Sequence, residues 1–233
     1  TFYNLTINNN AGVIAANDLT IDNNINLLSA NANSTTGALK VNSGYTLYLN
    51  HDAKVTGNGD ITGTITREHT FHVNESYTFT NEKSYIRFNT KSGQTLPSRI
   101  SLNLSIGTAP TWTGKPAIAR EYSIAQVGAS NTDAVIMMTY LQTEVPETLN
   151  ESKLSIWSNA VVGEATVVTE QGAANYNESE NYISLNSVNF AAFPSALDNF
   201  YVTYSETSAS IKTWNGNDNS NWNEPANWTP AGV

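Results

Sequence analysis

Asn4-Leu5-Thr6-Ile7, Asp18-Leu19-Thr20-Ile21 and Ala38-Leu39-Lys40-Val41 repeat one short phrase, and its reading decides the fold. Shorter echoes follow at Thr46-Leu47-Tyr48-Leu49, Ala53-Lys54-Val55 and Asp60-Ile61-Thr62-Gly63-Thr64-Ile65. Each sets an aliphatic, a polar residue and another aliphatic in a row, the period-two signature of a strand with one buried face. Asn, Gly, Asp and Ser separate the echoes, and these residues tolerate the left-handed backbone angles of turns. Such short strands do not fold singly. Stacked as rungs, they bury one column of Leu, Ile and Val. The stretch up to Arg67 therefore reads as turns of a short parallel β-helix, a β-solenoid. The column is expected to hold Leu5, Ile7, Leu19, Ile21, Leu39, Val41, Leu47, Leu49 and Ile61. The spacing between echoes is irregular, and a flat meander is the competing reading.

From Thr70 the texture changes. Strand candidates become longer and more aromatic, and Ile100-Ser101-Leu102-Asn103-Leu104-Ser105-Ile106 alternates strictly between apolar and polar. That is the pattern of an antiparallel sheet with one wet face. Further strands read at Ile118–Val127, Ala134–Leu141, Lys153–Trp157, Ala165–Val168, Tyr182–Phe190 and Phe200–Tyr204, with Gly and Pro turns between them. Their number and spacing suggest an immunoglobulin-like antiparallel β-sandwich with Trp157, Ile124 and Leu104 inside. Helix signals are almost absent. The expected organisation is all-β: β-helix rungs over 1–67, a sandwich over 68–205, and over 206–233 a linker with the Trp-rich start of a following module.

The 233 residues hold 13% charged side chains, against the usual quarter, with a net charge of −9. Eleven scattered Lys and Arg make no basic patch, which argues against nucleic acid. Cysteine is absent, which fits either cytosol or a bacterial exterior. No run approaches eighteen apolar residues, so no membrane span is expected. No signal peptide is present. Thr1-Phe2-Tyr3 already lies inside a strand pattern without a polar cap, so the sequence reads as a piece of a longer polypeptide.

Three of the five tryptophans, Trp214, Trp222 and Trp228, crowd into the Asn-rich tail. With Gly216 and Asn227 they give W-x-G…W…NW. This resembles the opening of modules repeated in very large secreted and cell-surface proteins of Bacteroidota. Phe2-Tyr3-Asn4-Leu5-Thr6-Ile7-Asn8-Asn9 is similar to the F-x-N-L-T-I-N-N rung of those modules, and Ala119-Arg120-Glu121-Tyr122-Ser123-Ile124 to their R-x-Y-x-I strand. Leu154-Ser155-Ile156-Trp157 and Val188-Asn189-Phe190-Ala191-Ala192-Phe193 match later strands. The resemblance implies a solenoid followed by a sandwich, exported by the type IX system, in adhesins that include those of gliding motility. It supplies no catalytic residues, and the sorting domain that such cargo usually carries at its C-terminus is not in this sequence.

No catalytic constellation emerges from the residues. Asp52, Asp60, Arg67 and Glu68 do not recur at rung spacing, as a polysaccharide-cleaving face requires. No nucleophile elbow, Walker loop or zinc-protease motif occurs. His69 and His72, read on one strand, point to opposite faces and do not share a metal, and His51-Asp52 reads as a solvated turn. Asn215, Asn217, Asp218, Asn219 and Glu224 look superficially like a calcium loop, but the offsets depart from the EF-hand, so at most a weak calcium site is expected and no cofactor. Trp112 and Tyr48 are the aromatic faces offered for stacking on a sugar. Trp214, Trp222 and Trp228 are expected to pack against the next module.

The chain is thus expected to be a non-enzymatic stalk or adhesin module of a bacterial surface protein, located outside the cell. Its partners would be adjacent modules of the same polypeptide, the export machinery and surface polysaccharide. The alternative is a carbohydrate-binding module of an exported polysaccharide-degrading enzyme.

Overall fold

The computed structural model describes residues 1–28, 37–162, 165–172, 175–197, 200–206, 213–214 and 227–229. The first seven strands are β1 (Phe2–Ile7), β2 (Val13–Ala15), β3 (Leu19–Leu27), β4 (Leu39–Val41), β5 (Thr46–Leu49), β6 (Lys54–Gly57) and β7 (Ile61–Glu68). Every pairing among these seven is parallel. One ladder runs β1, β3, then β5 and β6 side by side along β3, with β7 beyond β5; the second runs β2, β4, β7. Ile7, Ile21, Leu39, Val41, Leu47, Leu49 and Ile61 are buried, and Leu5 and Leu19 pack half-buried against them. Each fully buried aliphatic contributes about 1.5–3 kcal/mol.

The echoes do not all stack on one another. Leu5 pairs with Ile25 rather than Leu19, and Leu19 pairs with Leu47. The reason is that β3 is long enough to serve two neighbours. Leu19–Ile21 pair with β5, and Asn24–Leu27 pair with β6. Ile25 is therefore a core residue that the repeated phrase does not mark, and it pairs with Val55 of the Ala53-Lys54-Val55 echo, which is buried too. β7 makes the same change of partner, with Ile61 and Thr62 on β4 and Thr64 to Thr66 on β5. Gly63 is the corner between them, at φ +89°, where a Cβ would collide with the Val41 carbonyl. Only glycine fits there without strain.

The remaining strands are β8 (Ser76–Thr78), β9 (Tyr85–Phe88), β10 (Arg99–Ile106), β11 (Arg120–Val127), β12 (Asp133–Thr139), β13 (Leu154–Val162), β14 (Ala165–Gly172), β15 (Asn175–Asn177), β16 (Tyr182–Asn189), β17 (Phe200–Glu206), β18 (Thr213–Trp214) and β19 (Trp228–Thr229). Their ladders are antiparallel. β10 alternates as its sequence demands, with Ile100, Leu102, Leu104 and Ile106 buried. It lies antiparallel to β7, so the parallel ladder runs without a break into β10, β11, β17, β13 and β14. A second sheet, ordered β15, β16, β12, β9, β8, contributes Ile86, Phe88, Ile136 and Met138 to the same apolar cluster as Leu102, Leu104, Ile124 and Ile156. Trp157 is also buried. The protein is all-β, and the helical turns named among the described residues are three short 3-10 turns at Gln142–Glu144, Glu151–Lys153 and Phe190–Ala192.

Candidate functional site

Four charged residues near the junction of the parallel and antiparallel ladders are buried. Asp60 stands immediately before β7, and Arg120 opens β11. Arg120 Nη2 donates to Asp60 Oδ2 at 2.7 Å and to Glu144 Oε1 at 2.9 Å, while Nε donates to Glu144 Oε2 at 2.8 Å. All three side chains are at most 2% exposed. Burial alone disfavours the guanidinium charge, but Asp60, Tyr122 and Glu144 outweigh it and hold the pKa well above its ordinary value. The carboxylates have further donors: Asn81 for Asp60 and the Leu141 backbone for Glu144. With its geometry filled in this way, the cluster is a clamp, not a reactive pair.

Arg67, near the end of β7, is the second buried cation. It donates to the Thr78 carbonyl through Nε at 3.1 Å and Nη2 at 2.8 Å, to the Asn50 carbonyl at 3.0 Å and to the Ala53 carbonyl at 2.5 Å. Its guanidinium also lies 5.8 Å from the Tyr77 ring and 5.5 Å from the Phe79 ring. Burial pushes its pKa down to about 9, with Tyr77 and Glu75 pulling the other way. Among the charged residues singled out from sequence, Asp60 and Arg67 are thus buried, while Asp52 and Glu68 are exposed.

The aromatic candidates sit in different settings. Tyr48 on β5 is 36% exposed, and the ladder places Thr20 and Thr66 on either side of it. Thr66 Oγ1 lies 2.9 Å from Ser101 Oγ on β10, so hydroxyls extend the row beside the ring. Trp112, in the loop between β10 and β11, is half-buried and donates from Nε1 to Glu121 Oε2 at 2.7 Å. Trp214 and Trp228 are brought together as direct cross-strand partners in the β18–β19 ladder. Trp214 is 37% exposed, and the neighbouring Asn227 is fully buried. Trp222 lies outside the described residues, as do Asn215, Asn217, Asp218, Asn219 and Glu224 of the calcium-like loop.

The histidines depart from the sequence reading. β7 ends at Glu68, so His69 and His72 lie in the loop after it and the strand alternation does not separate them. His51, from the turn between β5 and β6, stands with ring centroids 5.1 Å from His69 and 5.7 Å from His72. Phe71 and Tyr77 pack against His69 at 4.2 and 5.3 Å. Burial lowers the His69 pKa below its ordinary value, Arg67 and His51 lower it further, and the Thr70 carbonyl and Glu75 oppose them. Sequence reasoning missed this cluster, because the pairing of β5 with β7 that folds the turn onto the loop is visible only in the register.

No family model, no curated protein and no solved structure matches the chain.

Proposed function

We propose that this chain is a non-enzymatic structural and adhesive module of a large bacterial surface or secreted filamentous protein. Residues 1–67 act as β-solenoid rungs, 68–205 as an immunoglobulin-like sandwich, and 206–233 as the linker and start of a following module. The work is mechanical: rungs add length, the sandwich acts as a stiff bead, and tandem copies multiply weak contacts by avidity. In this reading the parent protein belongs to Bacteroidota and leaves the cell by the type IX route. The resemblance of the rung and tryptophan motifs supports that assignment.

The observation that carries the reading is the outer edge of the first rung. Among the described residues β1 pairs only with β3 and β2 only with β4. Phe2, Tyr3 and Ile14 stand 43, 69 and 62% exposed on that edge. An open parallel edge with apolar side chains is a template for a further strand, and an adjacent module of the same polypeptide supplies one. The test is amide hydrogen exchange of β1 and tryptophan fluorescence of the chain joined to its flanking sequence. Protection of β1 and a blue shift are expected. Unprotected β1 with an unchanged spectrum, or retention of the parent protein in the cytosol, overturns the proposal.

Tyr48 favours a second reading, a carbohydrate-binding module. An exposed ring with the half-buried Thr20 beside it offers a stacking face and a hydroxyl for a sugar. A glycan array decides it: a defined oligosaccharide bound by the chain and lost in Tyr48→Ala supports this reading, and binding to nothing rejects it.

A further inference from the structure

The geometry points to a metal site at the histidine cluster: His51, His69 and His72 bind one divalent ion of the zinc class. All three histidines of the chain meet there, although one comes from the turn after β5 and two from the loop after β7. Two imidazoles that share one tetrahedral zinc through nitrogen bonds of ~2.0–2.1 Å have ring centroids about 5 Å apart. The observed separations, 5.1 and 5.7 Å from His51, fall in that range.

The second observation is independent of those distances. Nε2 of His51 and Nε2 of His69 are both sealed from solvent with no hydrogen-bond partner. In each ring the other nitrogen is already committed. His51 Nδ1 lies 2.8 Å from Asp52 Oδ1, and His69 Nδ1 lies 3.0 Å from the Thr70 carbonyl. A carboxylate and a carbonyl only accept, so the proton sits on Nδ1 and the lone pair on Nε2. That is the arrangement in which a histidine ligates a metal, its far nitrogen oriented by a carboxylate or backbone carbonyl. Ring packing against Phe71 and Tyr77 does not account for two ring nitrogens buried without partners.

As placed, no three His, Cys, Asp or Glu side chains among the described residues stand in coordinating geometry. His51 and His69 supply the two oriented nitrogens. His72 is exposed, and its ring turns about its side-chain bonds to give the third, with water as the fourth. Imidazole ligands suit zinc, copper or nickel rather than calcium or magnesium.

The test is calorimetric titration of Zn2+ into the chelator-treated full chain at neutral pH, with Co2+ absorption as a report on coordination. One ion per chain is expected, with the tetrahedral visible bands of Co2+. His51→Gln and His69→Gln should each weaken binding at least about tenfold, and Asp52→Asn, on an exposed carboxylate, should weaken it about tenfold through the His51 orientation. Imidazole nitrogen NMR should show the shift at Nε2. Each variant is checked by circular dichroism, and the NMR of the unaltered chain stands even where a variant misfolds. No stoichiometric binding, affinity unchanged in folded His51→Gln or His69→Gln, or a shift at Nδ1 instead overturns the site and leaves an aromatic packing cluster.

Discussion

Arg120 Nη2 lies 2.7 Å from Asp60 Oδ2, across sixty positions of chain, and both side chains are sealed from solvent. Asp60 is the last residue before β7, which belongs to the parallel ladders on one side and pairs with antiparallel β10 on the other. The ion pair therefore pins the strand that both halves share. Glu144 completes the fork, and Tyr122 links it to the Thr139 carbonyl of the second sheet at 3.0 Å. A hydrogen-bonded strand and a buried charge network thus join the parallel and antiparallel ladders.

Arg120→Met should be among the most damaging single changes. It leaves two carboxylates buried without their cation, and breaking such a pair costs about 3–5 kcal/mol. Urea unfolding measures it. Adding Asp60→Asn and Glu144→Gln should recover part of the loss, because the uncompensated charge, not the missing contact, dominates. A loss under about 1 kcal/mol for Arg120→Met would show that the network contributes little.

Gly63→Ala should cost more than about 1 kcal/mol, since alanine at positive φ is strained whatever the space around it. Here the space is missing too, with the Val41 carbonyl in the way. Gly44, also at positive φ but with nothing near its missing Cβ, is the control. Equal losses at the two positions would mean that the corner between the ladders is loose.

The all-β class was legible because aliphatic residues alternate with polar ones in strands such as β4, β5 and β10, and alternation survives any register. The register itself was not legible. Leu19 and Ile25 lie on one strand but serve two different neighbours, and no local signal marks where a strand changes partner. The buried charges were hidden for a related reason. Asp60 and Arg120 each look like ordinary turn and strand-end residues, and only the fold brings them to 2.7 Å. His51 was likewise separated from His69 and His72 by two strands, β6 and β7. Among the aromatics, burial of Trp157 followed from its alternating strand, whereas the half-burial of Trp112 depends on Glu121, which its Gly- and Pro-rich loop does not reveal.

Arg67→Lys should destabilise the protein by about 2–4 kcal/mol, because a single ammonium cannot reproduce charge-assisted bonds to three carbonyls. Asn50 and Ala53 offer those carbonyls from the turn between β5 and β6, and Thr78 from β8. Hydrogen exchange should rise locally at β6 and β8 in the variant. A lysine that leaves the unfolding midpoint unchanged would mean that water already serves those carbonyls.

Folding stability should fall as the solution is acidified through the ordinary histidine range, and His69 should account for part of the fall. Its folded pKa lies below the ordinary value of 6.5, chiefly through burial, then through Arg67 and His51, with the Thr70 carbonyl and Glu75 opposing. The unfolded chain therefore binds more protons than the folded one in this window, and stability must rise with pH there. Read downward, the loss begins as pH drops through about 6.5 and levels off once the folded ring is protonated as well. Half-exposure of the ring keeps the effect small. Urea midpoints between about pH 7.5 and pH 5.5, taken with chelator present so that no metal contributes, should fall in the unaltered chain and fall less in His69→Gln. Arg67 stays charged across that range, so it adds no slope of its own. Parallel curves for the two proteins would show that His69 titrates as freely in the folded state as in the unfolded one.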